Sequence, residues 1–241
     1  MNTPIKLAVF DMAGTTINNN AVVPQLLLKA FSSNGFDQLN LDLVDEKTGY
    51  AIPEAIRQIL SAHPTYYKEY TESKAGKIYE VFKREIKQHY KANPDISQIE
   101  DAMEVFEALQ QLGIKIGLNT NLDRDTANLL LKGVGWENHP LIDITVCSDE
   151  VAQGRPYPDM ILQMMAALGI GSPSEIIKIG DTIVDILEGQ QSGCMMSIGI
   201  TSPRYNYDRL MRAQPTHIVN ALYEIIPLVT RVFTKIPEEN K

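Results

Sequence analysis

An aspartate ends a short apolar run near the start of the sequence. Residues 7–10 carry the pattern of a buried strand, and Asp11 follows them directly, ahead of Gly14 and two threonines. A carboxylate at a strand end can attack phosphorus or bind a metal ion. An isolated aspartate in such a place is as often a loop cap, so its role depends on the polar residues beside it.

Two further polar residues follow apolar stretches downstream. Thr120 comes after the apolar residues 114–118, and its hydroxyl, with backbone N–H groups nearby, suits a phosphoryl oxygen. Arg155 lies in the turn GRPYP at residues 154–158, whose prolines can hold the guanidinium in place. A fixed guanidinium neutralises both an attacking carboxylate and a phosphoryl group. Taken singly, the two residues could be a turn hydroxyl and half of a surface ion pair.

Two aspartates share the segment GDTIVD at residues 180–185. Asp181 follows another apolar run, and Asp185 lies four positions later, one turn into a predicted helix. Both carboxylates can face one ion, and hard oxygen ligands describe Mg2+ better than a soft transition metal. Either aspartate alone could be a helix cap. Because polar residues recur at four such positions, a shared site is the better interpretation.

The elements that position these residues alternate between strand and helix. This alternation is typical of a parallel sheet covered by helices, so we predict an α/β fold with a Rossmann-like parallel sheet. In such sheets, ligands bind beyond the carboxyl ends of the strands, where Asp11, Thr120 and Asp181 would lie. The predicted strands after the first are 114–118, 141–147, 176–179, 195–200 and 216–219, and the predicted helices between them are 103–112, 126–133, 158–168, 183–192 and 222–233.

An early segment lacks this alternation. Residues 18–97 contain no convincing strand, and their apolar residues recur at helical spacing. We therefore predict a Rossmann-like core of residues 1–17 and 98–241 with an inserted helical cap domain of residues 18–97. The lysine-rich face of the last predicted helix is most simply solvated, with attraction of anions as the alternative. The helices predicted in the cap are 22–31, 53–62 and 66–90.

The composition narrows the functional classes. With 22 basic and 30 acidic residues the formal charge is −8, which argues against a nucleic-acid partner. No apolar run approaches the length of a membrane span and the N-terminus lacks a signal-peptide pattern, so neither a membrane partner nor export is expected. Cys147 and Cys194 form no disulfide or zinc pattern, which favours a cytoplasmic location. A monomer and a homodimer remain equally open.

The motifs together resemble a known family. The segment DMAGTT at residues 11–16, Thr120, Arg155 and the segment GDTIVD are similar in type and order to the four motifs of the haloacid dehalogenase superfamily. The resemblance implies phosphoryl transfer that depends on Mg2+ and passes through an aspartyl intermediate on Asp11, with Thr120 and Arg155 assisting. The implied metal ligands are Asp11, the backbone carbonyl of Ala13, Asp181 and Asp185, of which Asp185 either binds the ion or holds another ligand in place.

One position departs from the phosphatases of this superfamily. They usually carry a second aspartate two residues after the nucleophile, which protonates the leaving group and activates water, whereas this sequence has Ala13. Because alanine has no proton to give, ester hydrolysis should lose general acid–base assistance of about 100- to 10,000-fold. Lys47 and His63 could supply the proton, although loop residues of this kind are more often solvated.

Alanine is normal at this place in the phosphonoacetaldehyde hydrolase branch, which the segment GRP at 154–156 also resembles. That branch uses a cap lysine, three residues after a glycine, to form a Schiff base with an aldehyde substrate. The corresponding glycine is Gly49, and Ile52 takes the place of the lysine, so no imine can form there. Tyr50 could select the substrate or simply pack in the cap. The residues expected to contact the substrate are Thr15, Thr16, Gly49, Tyr50 and Asn121.

The leading hypothesis is a hydrolase that uses Mg2+ to act on a small phosphorylated or phosphonate metabolite. One alternative is phosphonoacetaldehyde hydrolase itself, with Lys47 replacing the missing lysine. Another is a catalytically weak protein that binds a phosphate ligand or has a regulatory role, which Ala13 and Ile52 favour. Dehalogenation is a chemical rival, but the charges of Asp181 and Asp185 argue against it because they need a cation.

Overall fold

A six-stranded parallel sheet forms the centre of the protein. The computed structural model describes residues 5–18, 22–93 and 96–234. The strand order β3-β2-β1-β4-β5-β6 is that of a Rossmann-like sheet, which confirms the predicted fold class. The strands are β1 (Leu7–Asp11), β2 (Lys115–Thr120), β3 (Ile144–Cys147), β4 (Ile176–Gly180), β5 (Met196–Ile200) and β6 (His217–Val219).

Helices cover both faces of this sheet. Alternate residues of β1 point to opposite sides: Ala8 and Phe10 belong to one apolar cluster, while Leu7 and Val9 belong to a second cluster with Met160. The helices of the core are α5 (Ala102–Gln111), α6 (Arg124–Gly133), α7 (Asp159–Leu168), α8 (Ile183–Ser192), α9 (Tyr207–Met211) and α10 (Ile225–Thr234). Among the described residues, no helix has the length and apolar character needed to cross a membrane.

Four helices form the insert between β1 and α5. Helix α4 packs against α1 and α3, and its far side contacts α6 of the core. A stripe of alanine, isoleucine, phenylalanine and tyrosine side chains along α4 is buried, while Lys74, Lys83 and Lys87 pair with acidic neighbours. The helices are α1 (Val22–Ser32), α2 (Leu41–Asp45), α3 (Ile52–Ala62) and α4 (Glu72–Ala92). The predicted helical insert is thus present, while the predicted domain limits stay a prediction.

Several predicted boundaries are wrong. Residues 64–69 form turns, and α4 begins only after Thr71, whose hydroxyl accepts a hydrogen bond from the Lys74 N–H. The strand predicted over 141–147 starts only at Ile144. The Asp143 carboxylate accepts a hydrogen bond from the Ile116 N–H, so regular backbone pairing begins after Asp143. The short helices α2 and α9 lie in segments without a helical prediction, since two turns are too few for periodicity to show.

Substitution of Gly189 tests how tightly α8 packs on the sheet. A Cβ at this position would overlap the Ser197 hydroxyl and lie 2.8 Å from the Lys178 Cβ, so we expect Gly189→Ala to lower the free energy of unfolding by about 1–3 kcal/mol. Gly76→Ala, in a helix with open space around it, should instead raise it by about 0.5–1 kcal/mol. Urea unfolding of both variants measures the difference, and equal midpoints would contradict this packing.

Candidate active site

Three aspartates meet at the carboxyl ends of β1 and β4. Asp11 is the last residue of β1, Asp181 follows β4, and Asp185 lies in the first turn of α8. All three are at most 4% exposed, and one carboxylate oxygen from each lies within 4.8 Å of the other two. The structure therefore brings together the acidic residues that the motifs indicated, at the topological switch point of the sheet.

Local sequence explains why the carboxylates come so close. Gly14 has a φ of +103°, and a Cβ there would lie 2.6 Å from Asp181 Oδ2. A Cβ at Gly180 would overlap the carboxylate of Asp185. Thr182 and Asp185 form a capping box at the start of α8, which turns the Asp185 carboxylate back toward the strand end. The two glycines and this cap leave space for the acidic side chains.

Arg155 joins two of these carboxylates. Its side chain is 2% exposed and comes from the turn before α7. Nη2 donates to Asp11 Oδ1 at 2.6 Å and to the Asn119 carbonyl at 3.0 Å, while Nη1 donates to Asp185 Oδ1 at 2.7 Å. A guanidinium held by three acceptors fixes the orientation of Asp11 and offsets part of the negative charge around it.

Lys178 and Glu188 also belong to this cluster, and the sequence analysis missed both. Both side chains are fully buried. Lys178 Nζ donates to Asp185 Oδ1 at 2.6 Å and lies 3.6 Å from Glu188 Oε2, which is equally far from Arg155 Nε. The Asn119 amide donates to Glu188 at 2.9 Å. A lysine inside an otherwise apolar strand, and a glutamate three residues after Asp185 on the same helix face, were the available signals.

Burial and mutual repulsion control the ionisation of the carboxyl groups. Burial, followed by the charges of Asp11 and Asp185, raises the pKa of Asp181 to about 7. Burial also raises the pKa values of Asp11 and Glu188 above their ordinary values, although the charges of Arg155 and Lys178 oppose it. Burial would raise the pKa of Asp185 as well, but these two cations outweigh it and hold the pKa below its ordinary value.

The donor set fits a divalent cation such as Mg2+. Three buried carboxylates provide hard oxygen ligands, and the cluster carries four acidic groups against two cations when all are ionised. The Asp185 oxygens already accept hydrogen bonds from Arg155, Lys178 and Thr182, so their lone pairs are occupied. This geometry favours Asp11 and Asp181 as direct ligands, with Asp185 holding Arg155 and Lys178 in position.

The three threonines of the predicted site, Thr15, Thr16 and Thr120, have hydrogen-bond partners within the protein. The Thr120 hydroxyl accepts a hydrogen bond from the Leu122 N–H, which caps the turn after β2. The Thr16 hydroxyl donates to the backbone carbonyls of Asp11 and Met12, and the Thr15 hydroxyl lies 3.3 Å from Asp181 Oδ1. All three threonines are fully buried. They shape the loop around Asp11, and their contact with a substrate stays a prediction.

The loop between α2 and α3 lies against the site. The Asn121 amide donates to the carbonyls of Thr48 and, at 3.3 Å, Tyr50, so it ties this loop to the core. A Cβ at Gly49 would lie 2.9 Å from the Thr182 hydroxyl, which shows how closely the loop approaches α8. Asn121 and Gly49 thus line the same small cavity as Asp11, and the half-buried Tyr50 follows Gly49 in the loop. Their contact with a substrate stays a prediction.

A second group of contacts, which the sequence analysis did not find, also links the insert to the core. Asp45 of α2 pairs with Arg204 and, at 3.2 Å, with Arg209, and both arginines follow β5. The Tyr205 hydroxyl donates to the Asp45 backbone carbonyl, and the Arg204 guanidinium donates to the Thr48 hydroxyl at 3.1 Å. Because an arginine near the C-terminus and an aspartate in the insert carry no shared pattern, no sequence signal could pair them.

Arg155 lines two cavities. A small cavity of about 20 Å³, room for roughly one water molecule, is lined by Asp11, Ala13, Asn121 and Arg204 among others. An open cleft of about 620 Å³ runs between α3, α4 and the loop before α7. The small cavity holds the candidate nucleophile, and the methyl group of Ala13 lies where the sequence comparison expected an acid.

The residues suggested to replace the missing general acid and the missing lysine lie outside the small cavity. His63 stacks on Tyr66 and its Nδ1 accepts a hydrogen bond from the Thr65 N–H. Lys47 Nζ lies 5.8 Å from the centre of the Tyr50 ring, and neither Lys47 nor His63 lines the small cavity. Ile52 begins α3 and is 1% exposed, so its apolar side chain is part of the core. The structure gives no support for a Schiff base at this position.

The chain belongs to the haloacid dehalogenase-like hydrolases, because the model of that family matches residues 5–193. This range contains all three aspartates and Arg155. The resemblance that the sequence motifs indicated is therefore confirmed. The chain is a hydrolase of the phosphatase and phosphonatase kind, and the carboxylate cluster lies where a metal ion could bind.

Relatives narrow the branch within this family. The chain is 30% identical over 211 residues to the bifunctional phosphonoacetaldehyde hydrolase/aminoethylphosphonate transaminase of Clostridioides difficile, covering 81% of this chain and 31% of that protein. It is 29% identical over 212 residues to the phosphonoacetaldehyde hydrolase of Bacillus cereus (strain AH187), covering 81% and 75%. The chain spans about a third of the length of the bifunctional relative.

Solved structures show the same fold. A phosphonoacetaldehyde hydrolase-like protein from Oleispira antarctica superposes with a TM-score of 0.80 at 22% identity, covering 99% of this chain and 96% of that one. A predicted phosphoglycolate phosphatase from Haemophilus somnus gives a TM-score of 0.73 at 20% identity, covering 95% and 99%. At these identities the likeness establishes the α/β fold with its helical insert.

The raised pKa of Asp181 makes cation binding depend on pH. Below pH 7 this carboxyl group carries a proton, which a divalent cation must displace. We expect the Kd for Mg2+ to rise about tenfold for each unit that the pH falls below 7, with little change above pH 8. Isothermal titration at pH 6 in two buffers of different ionisation enthalpy should detect the release of about one proton. A Kd that is flat from pH 5.5 to 8.5 would contradict this ionisation.

Substitution of Lys178 tests how much this buried cation contributes to the stability of the protein. Replacing it by methionine keeps the length of the side chain but leaves Asp185 and Glu188 with less positive charge, so we expect Lys178→Met to lower the free energy of unfolding by about 3–5 kcal/mol. The exposed pair of Lys115 with Asp143 provides a control, and Lys115→Met should cost less than about 1 kcal/mol. Equal losses in urea unfolding would argue against a stabilising role for Lys178.

Proposed function

We propose that this protein is a Mg2+-dependent hydrolase that transfers the phosphoryl group of a small phosphorylated or phosphonate metabolite to Asp11 and then to water. One observation carries the proposal. Asp11, Asp181 and Asp185 converge within 4.8 Å, and Arg155 donates to two of them. Together they form a nucleophile, a cation site and a fixed guanidinium around one phosphoryl-binding position.

The residues of this chain have distinct roles in this mechanism. When bound, Mg2+ would lower the charge repulsion between the carboxylate and the phosphoryl group. Asp11, Asp181 and the Ala13 backbone carbonyl would hold the ion, and Asp185 would position Arg155 and Lys178. Arg155 would bind a phosphoryl oxygen while its contact with Asp11 keeps the attacking oxygen oriented. Burial and distance support the roles of the three aspartates and Arg155, and the role of the Ala13 carbonyl follows from the family resemblance.

The insert would control access to this site. The loop of Thr48, Gly49 and Tyr50 covers the small cavity, and Asn121 holds it against the core. Because the cavity has room for only about one water molecule, the insert must move away before a substrate can reach Asp11. Closure would then exclude bulk water from the phosphoryl group. A site closed in this way favours small substrates.

Two features favour a second candidate function, a protein that binds a phosphate ligand without efficient turnover. Ala13 provides no general acid, and Ile52 provides no amine for a Schiff base. Such a protein would be stabilised by phosphate ligands but would release none from phosphorylated compounds. The buried nucleophile with its cation site and Arg155 favours the hydrolase, because a binding protein does not need a carboxylate aimed at the ligand.

The cysteines bear on the location of the protein. Cys147 and Cys194 are both free thiols, and burial raises the pKa of each to about 12. Thiols of this kind are typical of a reducing compartment, which supports a cytoplasmic location.

Substitution of the nucleophile tests this function directly. We expect phosphate release from a panel of small phosphorylated and phosphonate compounds, including phosphonoacetaldehyde, to require Mg2+. In Asp11→Asn this release should fall by a factor of about 10,000 or more, because the amide cannot attack phosphorus. Asp125→Asn, on an exposed carboxylate that pairs with Lys87, serves as the matched control and should keep full activity. Full activity of a folded Asp11→Asn variant would refute the mechanism, and phosphate binding without turnover would favour the binding protein.

A further inference from the structure

Among the described residues that line the small cavity beside Asp11, no side chain can protonate a leaving group. Apart from Asp11, its described lining consists of an alanine, a valine, a glycine, two threonines, an asparagine and two arginines. Hydroxyl and amide groups donate hydrogen bonds without releasing a proton near neutral pH, and a guanidinium does not deprotonate in proteins. Lys47 and His63 do not line this cavity. In the closed site the leaving group would therefore depart from phosphorus without taking a proton from a lining side chain.

Arg204 offers a different form of assistance. Its guanidinium lines the cavity together with Asp11, and its Nε is buried without a hydrogen-bond partner. The contacts of Nη2 with Asp45 and with the Thr48 hydroxyl hold the group in place. A fixed guanidinium stabilises negative charge that develops beside it and binds a carboxylate through two parallel hydrogen bonds. Arg204 thus suits a leaving group that departs as a carboxylate.

We propose that the substrate is an acyl phosphate, and this inference rests on the proposed function. An oxygen of Asp11 attacks phosphorus, the bond between phosphorus and the acyl oxygen breaks, and the electron pair leaves with the carboxylate facing Arg204. Water then attacks the phosphorus of the aspartyl phosphate, the electron pair returns to Asp11, and inorganic phosphate and one proton are released. Both leaving groups are carboxylates, so neither step needs a general acid at position 13. The attack of water then proceeds without the base that an aspartate there would supply.

A series of leaving groups tests this proposal. Initial rates are measured with Mg2+ on acetyl phosphate, 4-nitrophenyl phosphate, phenyl phosphate and glycerol 3-phosphate, whose leaving groups become steadily more basic. We expect kcat/KM to fall along the series, and glycerol 3-phosphate should be about 100- to 10,000-fold slower than acetyl phosphate. The Asp11→Asn variant supplies the blank for spontaneous hydrolysis. A value for glycerol 3-phosphate within about tenfold of that for acetyl phosphate would overturn the proposal.

Substitution of the two arginines that pair with Asp45 distinguishes stabilisation of the leaving group from closure of the insert. Arg204 and Arg209 both pair with Asp45, but only Arg204 lines the cavity. We expect Arg204→Gln to lower kcat/KM for acetyl phosphate about 100-fold, whereas Arg209→Gln should leave it roughly unchanged. Equal losses in the two variants would mean that Arg204 only holds the insert, and the proposed role would be wrong.

Introducing the missing acid gives an independent readout. We expect Ala13→Asp to raise kcat/KM for glycerol 3-phosphate about 10-fold or more relative to Ala13→Asn, which adds the same bulk without a proton. The dependence on leaving group should become correspondingly shallower. No difference between these variants, in protein that still hydrolyses acetyl phosphate, would contradict the proposal. Asp11-dependent release of phosphate from phosphonates but not from acetyl phosphate would overturn the acyl phosphate proposal alone. If neither this series nor the phosphonate panel releases phosphate in a way that requires Asp11, the proposed function itself fails.

Discussion

The structure depends on the burial of like charges at one point of the sheet. Asp11, Asp181, Asp185 and Glu188 are all nearly inaccessible to water, and Arg155 and Lys178 provide two positive charges among them. When every group is ionised, two negative charges remain in excess, which one divalent cation offsets. Without a cation, burial and this excess of negative charge together raise the pKa values of Asp11, Asp181 and Glu188. The same repulsion that destabilises the empty cluster is what makes it a cation site.

The surrounding elements hold this unfavourable arrangement in place. Parallel strands end at a common edge, so Asp11 and Asp181 are neighbours although they are far apart in the chain. The capping box of Thr182 and Asp185 supplies local hydrogen bonds that offset part of the cost of burying a carboxylate. Contacts of Asn121 with the loop near Thr48 then close the insert over the cavity. Strand order, helix cap and insert contacts therefore all act on the same small volume.

The chemistry that the site supports follows from what surrounds the nucleophile. A phosphatase that cleaves alkyl esters needs a proton donor, and the cavity has the methyl group of Ala13 in that place. The Schiff base that the sequence resemblance implies needs an amine, and Ile52 provides none in this chain. Arg204, which lies in the same cavity, makes a third route available, in which a cation stabilises the leaving group and no proton is transferred. Family membership thus restricts the reaction class, and the residues of this chain restrict the leaving group.

The sequence by itself determined the α/β fold and the convergence of Asp11, Arg155, Asp181 and Asp185, because alternating apolar periods predict parallel strands whose ends share one edge. Only the tertiary structure decided that the Thr120 hydroxyl caps a turn, that α4 begins after Thr71, and that Lys178 and Glu188 join the charge cluster. It also paired Arg204 with Asp45 across the insert. The physical reason is that periodicity records which face of an element is buried, whereas the partner of a polar side chain depends on contacts between elements distant in the chain.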